Sequence, residues 1–194
     1  IHEQNSVPGL TNRILGRLAR RVYLAFPDKL GKLPAEKCRL VGNPVRAAIK
    51  ACPSGGAKLL IMGGSLGASS INKAAVAAVR ILRETGQTIE IIHQTGERDL
   101  DFVQTSYEDL KGVTAQAFIT DMAAVYAQTR LCVTRAGGLS LAELSRLGIP
   151  AIMVPFPLAT DDHQSANAAY VAAAGGGIVI KDAELSGETL AKAI

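Results

Sequence analysis

Short apolar runs recur along this chain, each closed by a glycine, proline or polar break and followed by a longer segment with helical spacing. KLLIMG (58–63), TIEIIHQTG (88–96), TAQAF (114–118), LCVTR (131–135), PAIMVPF (150–156) and GIVI (177–180) read as strands. Between them the spacing predicts helices over 68–84, 99–110, 122–127, 139–147 and 164–174. A strand apolar at nearly every position leaves no face for water, so it must lie in a sheet covered on both sides. Its alternation with helices makes that sheet mostly parallel, an α/β fold. Ligands of such sheets sit beyond the carboxyl ends of the strands, which directs attention to 63–67, 93–96, 119–122, 135–143 and 155–167.

Upstream of this series the chain predicts a helix over 10–20 and strands over 21–26 and 38–45, then a breaker-rich linker at 47–57. The opening IHEQNSVPG reads as the end of a strand. The closing SGETLAKAI reads as a helix under way, with Ser186 as its N-cap and Glu188 in its first turn. The expectation is an excerpt of a longer protein.

Composition narrows the partners. The formal charge of +4 is mild, only 4% of residues are aromatic and Trp is absent, so nucleic acid is not an expected partner. The basic residues of NRILGRLARR (12–21) could serve another anionic surface. Three cysteines without metal-ligand spacing suit a reducing compartment. The apolar segment AAYVAAAGGGIVI (168–180) is shorter than the roughly 20 residues of a membrane span and is broken by glycines.

Three loops carry candidate chemistry. GGSLG (63–67) joins a strand to a helix; its glycines permit a tight turn and close packing on the sheet, and free N–H groups at a helix start suit an anion. Ser65 could donate to a phosphate or cap the helix, and a turn serving packing alone is the plain alternative. The stretch has neither the Lys-Ser/Thr of a Walker loop nor GxGxxG, which argues against ATP hydrolysis and ordinary NAD binding. TRAGGLSLAE (134–143) repeats the arrangement. There Glu143 either accepts two hydroxyls of a sugar or ribose or answers the helix dipole near the first turn, and Arg135 is an anion ligand or a solvated charge. In PFPLATDDHQSANA (155–168), Asp162, His163, Gln164 and Asn167 offer donors and acceptors, with Asp161 or Asp162 as a helix cap the structural alternative. Zinc is not expected, because adjacent residues rarely converge on one ion and the only other histidines are His2 and His93.

In order along the chain, HEQN (2–5), GNPVR (42–46), GGSLG, HQTG (93–96), FITDM (118–122), AGGLSLAE (136–143) and DDHQSANA (161–168) resemble motifs of the MurG family. These bacterial glycosyltransferases move N-acetylglucosamine from UDP-N-acetylglucosamine to undecaprenyl-pyrophosphoryl-N-acetylmuramoyl-pentapeptide, turning lipid I into lipid II in peptidoglycan synthesis. The resemblance implies a GT-B architecture of two Rossmann-like domains facing across a cleft. Residues 1–43 would end the first domain, 44–57 would link, and 58–194 would form most of the second, incomplete at its end. It further implies an inverting transferase with no cofactor and no metal. Lipid I and the cytoplasmic face of the inner membrane would be met through the first domain, and the chain by itself would be soluble.

Position by position, the resemblance implies that Asn5 contacts the donor, Arg46 lies near its diphosphate and Ser65 binds phosphate. The Ile119 backbone would receive uracil, Glu143 the ribose hydroxyls, and Gln164 the sugar. His163 stands where the family has the first of paired glutamines. Gly138, Leu139 and Ser140 open GLSLA where the family often has ALTVS, within the substrate-binding loop. The family's GTGGH loop, whose histidine is the proposed general base, does not occur in these residues; His2 is no substitute and His93 is expected to be structural. Two other readings stand beside this one: a non-catalytic UDP-sugar module, and a UDP-N-acetylglucosamine epimerase-like enzyme, for which no acid–base pair presents itself.

Overall fold

The apolar runs form two parallel sheets in a computed structural model that describes residues 1–49 and 56–194. Residues 50–55, with Cys52 and part of the expected linker, lie outside the described residues. The first sheet has the order β1-β2-β3, from β1 (His2–Glu3), β2 (Val22–Leu24) and β3 (Cys38–Leu40), with α1 (Leu10–Leu18) between the first two. The second has the order β6-β5-β4-β7-β8-β9, every neighbouring pair parallel. Its strands are β4 (Lys58–Met62), β5 (Ile91–Gln94), β6 (Val113–Gln116), β7 (Thr129–Thr134), β8 (Ala151–Met153) and β9 (Gly177–Val179). Helices α2 (Ser69–Glu84), α3 (Leu100–Tyr107), α4 (Met122–Tyr126), α5 (Gly138–Leu147) and α6 (His163–Ala173) alternate with them, and α7 (Gly187–Ala193) follows. This is the Rossmann-like α/β fold.

Central strand β4 explains why its sequence is apolar throughout. Successive side chains of a strand point to opposite faces. Leu60 and Met62 enter one core with Val125, Leu141 and Leu144, while Leu59 and Ile61 enter the other with Ile71, Val79 and Leu190. All four are buried, each contributing about 1.5–3 kcal/mol of hydrophobic stabilisation. Helix α7 closes the second core through fully buried Leu190. Ser186 is its N-cap as expected: the hydroxyl accepts from Thr189 N–H at 3.1 Å, and Thr189 Oγ1 accepts from Ser186 N–H at 2.8 Å.

Where elements end early, local chemistry is the reason. The strand expected over 38–45 stops at Leu40, because Gly42 turns with φ of 80° and Pro44 has no N–H to give a ladder. The one expected over 150–156 stops at Met153, just before Pro155 and Pro157. Cys38 and Cys132 are free thiols. No helix among the described residues is long and apolar enough to cross a membrane.

His93, on β5, is structural as expected. Its ring is fully buried between Tyr107 Oη (3.2 Å from Nδ1) and Asn72 Oδ1 (3.0 Å from Nε2). Asn72 Nδ2 donates onward to Thr95 O at 2.9 Å and Asp99 Oδ2 at 2.8 Å, which ties α2 to the end of β5. Burial lowers the His93 pKa from 6.5 to about 4. The unfolded chain therefore takes up this proton first, and stability falls as pH drops from 6.5 towards 4, by on the order of 3 kcal/mol. Denaturant unfolding across that interval should show the slope in the native protein and its absence in His93→Gln. Equal slopes would place the titration elsewhere.

Candidate functional site

The strand order reverses beside β4. The chain leaves β4 for β5 and β6 on one side, then crosses back to β7 on the other. Met62 and Thr134 are paired partners at the carboxyl ends of β4 and β7, so the two glycine-rich loops leave the sheet side by side. Such a reversal opens a crevice that nothing in the sheet fills. Here it is a cavity of about 400 Å³ lined by the GGSLG loop, Arg98, Arg135, Ser140, Phe156 and Gln164.

Two helices point their N-termini into this crevice without a side-chain cap. Ala68 precedes α2 and Gly137 precedes α5, and neither carries an acceptor for the first helical N–H groups. Ser65 lines the cavity ahead of Ala68 and does not cap, so the capping alternative is set aside. Gly64 and Gly67 have φ of 89° and 76°. A Cβ on Gly64 would meet open space, whereas one on Gly67 would collide with the Thr95 carbonyl oxygen at the end of β5. Gly64→Ala should therefore cost about 1–2 kcal/mol from backbone conformation alone. Gly67→Ala should cost at least about 1 kcal/mol more, since strand-end backbone must move. Paired unfolding curves check the order of the two.

Polar side chains couple this loop to its neighbours. Gln94, the glutamine of HQTG, donates from Nε2 to Gly64 O at 2.9 Å and accepts from Ile119 N–H at 2.9 Å. The Ile119 N–H is thus already engaged, and Ile119 itself is buried. Glu143 lies in the second turn of α5, not the first, so the dipole alternative loses its geometry. Its carboxylate accepts from Arg46 Nε at 2.9 Å and Nη2 at 3.1 Å, and from the buried Tyr126 hydroxyl at 3.0 Å. Hydrogen bonding to Glu143 raises the Arg46 pKa above its usual range.

Arg135 is neither solvated nor free. Its guanidinium donates to Val154 O, Pro155 O, Ser70 Oγ and Asp182 Oδ1, the last at 2.6 Å, and braces the loops around the crevice. Gln164 faces the crevice, its Oε1 accepting from Ala136 N–H at 3.2 Å and Phe156 N–H at 3.0 Å. His163 turns away from it; its Nδ1 is 2.7 Å from Thr160 O and it lines a neighbouring cavity of about 390 Å³ with Asn5 and Asn12. Asn5 accepts from Asn167 Nδ2 at 3.0 Å. Buried Asn167 also accepts from Ser6 N–H and Ser6 Oγ, both at 2.8 Å, so it stitches the HEQN loop to α6. Asn43 does the same beside Gly138, donating to Gln4 O and Gly138 O at 3.0 Å. Gly138 is buried at this contact, Ser140 lines the crevice, and the Leu139 side chain is exposed. Neither Asp161 nor Asp162 caps α6: both have positive φ, Asp161 pairs with Arg13 at 3.0 Å, and Asp162 accepts from Ser165. No group of three His, Cys, Asp or Glu among the described residues could hold a metal ion. Sequence reasoning missed Tyr126, Gln94, Arg98 and Asn43; of these Gln94 and Asn43 carried a signal, through their places in HQTG and GNPVR.

Comparison with known proteins gives the chain's family and agrees with its fold. Residues 58–194 match the glycosyltransferase family 28 C-terminal domain. A relative from Nitratidesulfovibrio vulgaris (strain Hildenborough) is 45% identical over 96% of this chain and 53% of its own. One from Alkalilimnicola ehrlichii is 47% identical over 98% of this chain and 55% of its own. Both are named UDP-N-acetylglucosamine--N-acetylmuramyl-(pentapeptide) pyrophosphoryl-undecaprenol N-acetylglucosamine transferase. The crystal structure of Acinetobacter baumannii MurG superposes with a TM-score of 0.79 at 37% identity, over 99% of this chain and 56% of that one. The chain thus spans about half the length of the relatives it matches. On its fold, its two glycine-rich loops and the match over residues 58–194, the chain belongs to the glycosyltransferase family 28 C-terminal domain family.

Proposed function

We propose that this chain supplies the donor-binding side of a transferase that moves N-acetylglucosamine from UDP-N-acetylglucosamine to undecaprenyl-pyrophosphoryl-N-acetylmuramoyl-pentapeptide. The observation that carries the reading is the pair of uncapped helix N-termini, α2 and α5, meeting at one crevice. Helix N–H groups without partners favour an anion there, and a diphosphate brings two anionic groups. Ile119 and Glu143 stand on the same side of the sheet as ligands for uracil and ribose, and the names of the relatives supply the sugar and the acceptor.

In this reading the acceptor C4 hydroxyl attacks the anomeric carbon of the sugar with inversion, and UDP leaves. Negative charge grows on the diphosphate as the glycosidic bond breaks. The N–H groups around Ser65 and at the start of α5 are held in place beforehand, so they stabilise that charge without reorganising. Arg46 adds a cation once its pairing with Glu143 is exchanged for the ribose. The general base and most of the acceptor site belong to the first domain in this reading. The lipid carrier would place the reaction at the cytoplasmic face of the bacterial inner membrane, with peripheral attachment.

Calorimetric titration of the 194-residue chain should give binding of UDP and UDP-N-acetylglucosamine at least about tenfold tighter than of ATP or NAD, a gap of roughly 1.4 kcal/mol. Glu143→Ala should lose about 1.5–3 kcal/mol of UDP affinity with its charged hydrogen bonds, and Ser65→Ala should weaken UDP more than uridine. Equal affinity for ATP would sink the uridine assignment. The chain alone should give no appreciable sugar transfer to a short-chain lipid acceptor while the full-length parent does, because positioning of the acceptor is worth several powers of ten.

A further inference from the structure

The Glu143 carboxylate has three donors around it, and they differ in kind. Arg46 arrives from the segment that follows the first sheet, and its side chain is 57% exposed. Tyr126 ends α4 inside the same unit as Glu143, and its ring is buried in the core with Cys132, Leu141 and Leu144. A carboxylate offers about four acceptor positions, so the two hydroxyls of a ribose cannot be received while all three donors remain. Arg46 can swing into solvent or towards a phosphate; Tyr126 cannot leave without opening the core.

We propose that Tyr126 is a positioning residue for ribose recognition: its buried hydroxyl holds Glu143 Oε2, 3.0 Å away, and fixes the carboxylate plane so that, when Arg46 departs, the remaining lone pairs face the ribose diol. The proposal rests on the reading that Glu143 receives the ribose of UDP. Burial raises the Tyr126 pKa well above its ordinary value, so the phenol remains a donor throughout the neutral range. A free carboxylate at this place would rotate about its last bond and would have to be ordered by the ligand on each binding event. The phenol removes that freedom in advance.

Tyr126→Phe keeps the ring and deletes only the donor. Its affinity for UDP, measured calorimetrically, should fall about fivefold to tenfold, because the ligand must then order the carboxylate that the phenol holds in place beforehand. Affinity for the dideoxyribose analogue of UDP, which lacks both hydroxyls, should change less than about twofold, because no diol remains to be oriented. In a Glu143→Gln background the same substitution should have little further effect on UDP. A loss of equal size on UDP and on the analogue would mark Tyr126 as a core residue only and overturn the proposal, as would no loss on either. If the native chain bound the analogue as tightly as UDP, the assignment of Glu143 to the ribose would fail, and the proposal with it. Should Tyr126→Phe not fold, carbon-13 labelling of the tyrosine rings in the native chain gives the same decision. The Tyr126 ring carbon bearing the hydroxyl should shift with UDP and stay in place with the analogue, and identical shifts would contradict the proposal.

Discussion

Parallel pairing of β4 with β7 is the constraint on which the site is built. Once Leu60 lies beside Cys132 and Met62 beside Thr134, the chain ends of both strands are a single strand spacing apart. Whatever follows them must share one crevice. Glycine is what makes that sharing possible: at Gly67 a side chain would strike the Thr95 carbonyl, and at Gly138 it would strike Gln4 O. The second contact brings the first sheet's HEQN loop against α5, so the same edge that gathers the two helix starts also receives the first unit.

Buried amides then make the arrangement rigid. Asn72, Asn167 and Gln94 each join segments remote in sequence, and each makes bonds from both ends of its side chain. A buried amide half satisfied would cost more than an apolar residue of the same size, so these connections hold only as complete sets. Gln94 links the GGSLG loop at Gly64 to the backbone at Ile119, and Arg135 braces the opposite wall through Asp182. Several helix starts carry no side-chain cap, but α2 and α5 are the two whose starts meet at one crevice, where their free N–H groups can be answered together by a ligand.

The strands, the helices and the two glycine turns were legible in the sequence because period and backbone chemistry are local. Ser186 was legible for the same reason: a cap and its N–H partner lie within one turn. Arg135 was not, since its partners Val154, Pro155 and Asp182 come from later segments and nothing near it announces them. Nor was Tyr126, which reads as an ordinary apolar helix end until α4 and α5 are packed together. The capping alternative for Asp161 and Asp162 failed because both adopt left-handed backbone, which points their carboxylates at Arg13 and Ser165. Roles for Asn5, Arg46, Ser65, Ile119, Glu143 and Gln164 came from the motif resemblance. The residues alone left phosphate binding and capping, or ribose binding and a dipole contact, side by side.

A crystal structure of the chain with UDP-N-acetylglucosamine bound is the most direct measurement of the account. The diphosphate should lie at the edge shared by β4 and β7, within hydrogen-bond distance of the GGSLG backbone and Ser65, with the ribose diol on Glu143 and Arg46 released from it. A nucleotide bound anywhere else, or one at this edge with the Arg46–Glu143 pair intact and its ribose directed away, would contradict it.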